Sequence, residues 1–133
     1  EMMYELANVQ LYANKQQDAI ATYDLLESKT GVYEELSVQK HLLYEQLKQY
    51  EKAGLELERL AEQYPDEPRY WGMAAQFYQR NNLKDKAAVA LQNMVKADPT
   101  NGQVHWQLSE YYATQGDEKR SYEELKLAFG TTI

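Results

Sequence analysis

The chain contains no cysteine. That excludes a disulfide framework, a thiolate metal site and a thiol nucleophile. It leaves the compartment open, because cytoplasm and bacterial periplasm or cell envelope suit a cysteine-free chain equally. Proline and glycine are scarce, at 3 and 6 of 133 residues. Few breakers predict long regular elements. The glycines are scattered, so no loop cradles a phosphate. No apolar run approaches the ~18–20 residues needed to cross a bilayer. The most apolar uncharged stretch, residues 87–95, has the length of a buried helix face. The opening EMMYELANVQ lacks a basic segment followed by an apolar core, so it does not spell a secretory signal.

What is present points to helices. Hydrophobic residues make up 44% of the chain, enough to bury a core. Ala, Leu, Glu, Gln and Lys, all good helix formers, dominate the rest of the composition. The net charge of −7 disfavours a nucleic-acid backbone as partner.

The pattern repeats every 34 residues. Ala19, Ala53, Ala87 and Ser121 form one column, and all four are small. Antiparallel helices approach closely only where a small side chain sits at the crossing. Tyr23, Leu57, Leu91 and Leu125 follow one turn later, then Leu26, Leu60, Met94 and Ala128. Together they make the apolar stripe of an amphipathic helix. A preceding helix has its own columns, Leu6, Lys40, Ala74 and Leu108 in one, and Gln10, Tyr44, Tyr78 and Tyr112 in another. Each unit ends near Gly31, Pro65, Pro99 and Ile133. The spacing predicts eight helices at about 2–13, 17–29, 33–46, 50–63, 68–81, 84–97, 102–115 and 118–129. Asn14, Lys48, Asn82 and Gly116 stand where a left-handed residue closes a helix, and Lys48 suits that place least.

These columns, with Trp71, Tyr78, Ala87, Leu91 and Pro99 at their places in the third unit, resemble the tetratricopeptide repeat. The resemblance covers the whole chain. It implies an all-α fold, an α-α superhelix of four helix–turn–helix units at about 1–33, 34–67, 68–101 and 102–133, forming a single array. Departures stand at Gln10, at Lys40 and His41 in normally apolar and small positions, and at His105 in place of Trp. These predict altered packing between the paired helices. The chain starts in mid-pattern at Glu1 and stops at AFGTTI with no closing helix. It therefore reads as a piece of a longer bacterial repeat protein, or as one whose uncapped ends meet a second copy in a homo-oligomer.

Residues for catalysis or metal binding are few. His41 and Glu45 lie one turn apart, but a buried histidine beside a surface acid explains them better than a metal site. Ser37, Ser109 and Ser121 fall where a small residue suits packing. No cofactor, metal or catalytic residue is expected, and the chain is not expected to be an enzyme.

The resemblance implies that the first helix of each pair lines a concave groove holding a protein or peptide. On that geometry the groove residues are Tyr4, Asn8, Tyr12, Gln39, Leu42, Arg69, Met73, Gln76, Arg80, Trp106, Gln107 and Glu110. Trp106 is the sharpest pointer, since a tryptophan on a binding surface is a typical anchor. Counted by unit, the charge runs about −3, −5, +3 and −2, so Arg69 and Arg80 lie in the one basic unit. The related clamp for the C-terminal carboxylate of heat-shock chaperones is incomplete. Asn8 fits it, but Tyr4 replaces a lysine, Gln39 an asparagine, and Arg69 with Met73 fit only in part. A structural scaffold or self-assembly segment is the alternative role.

Overall fold

A computed structural model describes residues 2–130. The expected irregular start at Glu1 and the expected stop at Ile133 lie outside them. Among the described residues there are eight α-helices and no strand. They are α1 (Met2–Tyr12), α2 (Gln16–Thr30), α3 (Glu34–Gln46), α4 (Tyr50–Gln63), α5 (Pro68–Arg80), α6 (Lys84–Ala97), α7 (Gly102–Thr114) and α8 (Glu118–Ala128). Every bound falls within one residue of the spacing-based expectation. This is the expected all-α fold of tetratricopeptide-like helix pairs.

Local chemistry sets the ends. Asn14, Lys48 and Asn82 have φ of 63°, 60° and 64°, and Gly116 has 78°. Each lets the chain reverse between the two helices of a pair. Gly31, with φ 85°, stops α2, and its N–H donates to the Glu27 carbonyl. Pro68 opens α5, where its missing N–H costs nothing. The Asn101 side chain accepts hydrogen bonds from the Gln103 and Val104 N–H groups and starts α7.

The contacts divide the chain into two units, 1–63 and 64–133. In the first, α1 packs on α2, α2 on α3 and α3 on α4. Ala19 and Ala53 are fully buried at the pair crossings. Ala7, Ile20, Tyr23, Leu26, Leu36 and Leu43 join Ala19 in one apolar cluster. Gln10 replaces an aromatic and accepts a hydrogen bond from the Thr22 hydroxyl at 2.7 Å.

In the second unit, α5 packs on α6, α6 on α7 and α7 on α8. Ala74, Ala75, Phe77, Tyr78, Ala87, Leu91, Val104 and Leu108 are buried. Of the expected tyrosine column, Tyr78 is buried, while Tyr44 and Tyr112 are half-buried. Ser121 keeps the crossing small, and its hydroxyl donates to the Ser109 carbonyl at 2.9 Å. Gly102 lets α7 start against the end of α8, because a Cβ there would meet the Ala128 carbonyl oxygen at 2.9 Å.

Lys48 carries a Cβ in the left-handed region, a conformation that costs roughly 1 kcal/mol or more for an ordinary L residue. Lys48→Gly is expected to raise stability by about 0.5–1 kcal/mol, after the greater freedom of glycine in the unfolded chain is subtracted. Urea denaturation of the two chains measures it. An unchanged or lower midpoint contradicts the strain at this turn.

Candidate functional site

Unusual chemistry would sit at the buried polar groups. Lys40 is completely buried on α3. Its ammonium is held by Asp24 at 2.9 Å, Glu27 at 3.1 Å and Glu56 at 3.1 Å, from α2 and α4. Arg59 closes the network on Glu27 at 2.6 Å and on Glu56 at 3.3 Å. Burial works against the Lys40 charge, but the Asp24 hydrogen bond and the other two acids outweigh it and hold its pKa above the usual 10.5. Half-buried Glu27 and buried Glu56 respond in opposite directions. Burial pushes Glu27 up, yet its bonds to Arg59 and Lys40 bring it below 4.5. In Glu56 burial prevails over the same cations and its pKa rises. The network pairs its charges from within and makes a joint between three helices.

The histidines are likewise bound in the packing. The ring Nδ1 of His41 lies 2.8 Å from the Ala53 carbonyl oxygen. His105 places Nδ1 at 2.7 Å from a Glu124 carboxylate oxygen and Nε2 at 2.7 Å from the Pro99 carbonyl oxygen. Two acceptors call for two N–H groups, hence for the imidazolium form. Burial opposes that charge, but Glu124 and Pro99 outweigh it and hold the pKa above 6.5. Among the described residues no three His, Cys, Asp or Glu side chains gather to hold a metal ion.

The expected groove residues fall in both units. In the first, Tyr4 is half-buried; its ring meets Tyr23 edge-on with centroids 5.9 Å apart, and its hydroxyl is hydrogen-bonded to Tyr33. That tyrosine is engaged in packing. Asn8 and Tyr12 are exposed on α1, and Leu42 on α3, while Gln39 is half-buried.

In the second unit, α5 and α7 border two hollows. One, of about 240 Å³, is lined by Gln76, Gln79, Gln103 and Gln107 above a floor that includes Gly72, Leu91 and Met94. No charged side chain lines it. Gly72 has no side chain, and a Cβ there would crowd the Met94 methyl at 3.2 Å. The other, of about 250 Å³, shares Gln79, Leu91 and Gln107 and adds Lys84, Glu110, Tyr111 and Thr114. Tyr111 is oriented by donating to Asp85 at 2.9 Å. These hollows bring together three of the expected residues, Gln76, Gln107 and Glu110. Gln103 and Tyr111 were not singled out from the sequence, although they lie on the same first helix as Gln107 and Glu110.

Arg69, Met73, Arg80 and Trp106 line neither hollow. Arg69 stacks over the Tyr70 ring at 4.8 Å, and Arg80 lies 5.6 Å from the Phe77 ring centre. Trp106 is 43% exposed, and its ring meets Phe129 at right angles with centroids 5.9 Å apart.

No protein-family model and no curated protein matches the chain. Solved structures do. MamA from Desulfovibrio magneticus RS-1, from residue 41 to its end, superposes with a TM-score of 0.58 at 20% identity, covering 97% of this chain and 73% of MamA. Another crystal structure of MamA gives 0.59 at 13% identity, covering 95% and 74%. MamA of AMB-1 gives 0.60 at 16% identity, covering 94% and 68%. At these identities the likeness is one of fold, and it agrees with the helical-repeat reading of the sequence.

Two outcomes follow for the polar joints. Lys40→Ala leaves buried carboxylates without their central cation and is expected to cost about 3–5 kcal/mol. Denaturant unfolding checks this, and a loss under about 1 kcal/mol contradicts it. For His105 the folded pKa lies above the unfolded one, so its contribution is full below about pH 6.5 and is lost as pH rises through the folded value. Melting temperature followed upward from pH 6 should show this decline, and His105→Gln should remove it.

Proposed function

We propose that this chain is a non-catalytic interaction module that holds a peptide or protein segment against its first helices. The observation that carries the reading is the glutamine-lined hollow between α5 and α7. Carboxamides donate and accept at once and carry no charge. Four of them around one opening match the alternating N–H and C=O groups of an extended main chain. Trp106, 43% exposed on the same helix as Gln107 but outside the hollows, supplies a flat apolar anchor for a flanking part of the segment. Arg69 and Arg80, exposed on α5, favour acidic side chains in the bound segment. Asn8, Tyr12, Gln39 and Leu42 take the corresponding role in the first unit, with Tyr4 as its packed base, and Met73 adds an apolar edge in the second. The acidic balance of the chain argues against nucleic acid as the ligand.

Selection of a random displayed peptide library against the chain tests this. Selected peptides should shift the backbone amide resonances of Gln76, Gln107 and Glu110. Gln76→Ala with Gln107→Ala should weaken them about tenfold, a loss of roughly 1.4 kcal/mol. Trp106→Ala should weaken them while melting stays nearly unchanged. Peptides that move only the exposed second-helix residues Leu25, Leu55 or Val89 would overturn the reading.

A further inference from the structure

The repeat register gives the glutamine-lined hollow of the second unit a counterpart in the first. Two repeat periods separate Gly72 from Tyr4, Ala75 from Ala7, Leu91 from Tyr23, Met94 from Leu26, Asn101 from Tyr33 and Val104 from Leu36. The six later residues all line the hollow of about 240 Å³. Of their counterparts, Ala7, Tyr23, Leu26 and Leu36 belong to the apolar cluster of the first unit, and Tyr4 and Tyr33 pack against it.

The two copies of this place differ at its centre. In the first unit Tyr4 lays a phenol ring there. The ring meets Tyr23 edge-on, and the hydroxyl is hydrogen-bonded to Tyr33. In the second unit Gly72 contributes no side chain to the same place. A Cβ on Gly72 would meet only the flexible end of Met94, at 3.2 and 3.4 Å. One chain therefore shows this place once with a tyrosine in it and once open.

The open copy keeps what a phenol needs. Ala75, Leu91 and Val104 give it a buried apolar floor. Met94 adds a thioether, which contacts aromatic rings favourably. Asn101 stands where Tyr33 stands. Its side-chain oxygen accepts from the Gln103 and Val104 N–H groups, so its NH2 is the group left to donate to a phenol oxygen. Gln76 and Gln103 can accept the phenol proton. No charged side chain lines the hollow, so a carboxylate, phosphate or ammonium would enter unpaired. Sites for small molecules typically occupy roughly 300–1,000 Å³, and this smaller hollow suits one large side chain.

We propose that the glutamine-lined hollow is a tyrosine site. It takes one tyrosine side chain of the bound segment in the place that Tyr4 fills in the first unit, with the ring against Leu91 and Met94 and the hydroxyl at Asn101. This rests on the interaction reading above and adds the residue that the segment must carry.

N-acetyl-L-tyrosinamide, titrated into the whole chain and followed by NMR, is the direct probe. It should bind with a Kd on the order of 1 mM. It should shift the Gln76 and Gln103 amides and move the Met94 methyl upfield through the ring current. N-acetyl-L-phenylalaninamide lacks only the hydroxyl and should bind about fivefold more weakly. Gly72→Tyr should fill the hollow with its own ring and abolish the shifts. Asn101→Ser keeps a capping side chain at the start of α7 but removes the NH2, and it should erase the preference for tyrosine over phenylalanine. Equal or tighter binding of the phenylalanine analogue, or tyrosinamide shifts that avoid Met94 or persist in folded Gly72→Tyr, would overturn the proposal. Among peptides selected from the displayed library, tyrosine should recur, and its replacement by alanine should abolish the Gln76 shift. Selected peptides that bind at Gln76 and Gln107 without a tyrosine overturn the tyrosine site and leave the interaction reading standing. A library that yields no binder overturns both.

Discussion

The width of a side chain at each helix crossing governs this molecule. Helices packed in pairs sit some 8–10 Å apart, and the lower end of that range requires a residue no larger than alanine or serine at the contact. Ala19, Ala53, Ala87 and Ser121 meet that requirement in turn. The first three are essentially closed to solvent, and the serine satisfies its hydroxyl on the Ser109 carbonyl. With the crossings fixed, the apolar stripes of α2, α4 and α6 fall into place against their neighbours. The remaining faces of the first helices are left to line hollows instead of filling a core.

The charged and ring-nitrogen groups inside this stack find partners, whereas a small hydroxyl such as that of Ser37 is buried without a hydrogen bond. An unpaired buried charge would cost several kcal/mol, a large part of what holds any small domain together. Lys40 is surrounded by three acids, and Arg59 balances two of them. His105 stands where a tryptophan would be ordinary and gives both ring nitrogens to acceptors. Gln10, in place of an aromatic, is matched by Thr22. Each substitution of polar for apolar is met by an answering change on the facing helix.

The sequence made the helices legible because one period controls both local conformation and packing. A small residue every 34 positions, with leucines at fixed offsets, places helix ends to within a residue. Turn chemistry was equally plain, down to the awkward Lys48. The partners of Lys40 were not legible. They come from α2 and α4, and nothing in local spacing says that Asp24, Glu27 and Glu56 converge on one ammonium. The candidate site was legible only in part. Helical geometry put Gln76, Gln107 and Glu110 on one side, and the hollows include them. Gln103 and Tyr111 escaped although each lies four residues, about one turn, from Gln107, because the column was followed through Trp106 instead. Tyr4 looked like a free anchor because its packing against Tyr23 and Tyr33 depends on a fold that the column alone does not describe.

A protein made of near-copies of one unit faces a sorting problem while it folds, since any second helix could receive any first helix. The Lys40 cluster removes that ambiguity for α3. Placed against α6, its ammonium would find Val95 where Glu27 should be and lose most of its counter-charges. Conversely, α7 offered to α2 would press Leu108 onto acids that need a cation. Lys40 is thus matched in charge to α2 and not to α6, which favours the native neighbour over the alternative.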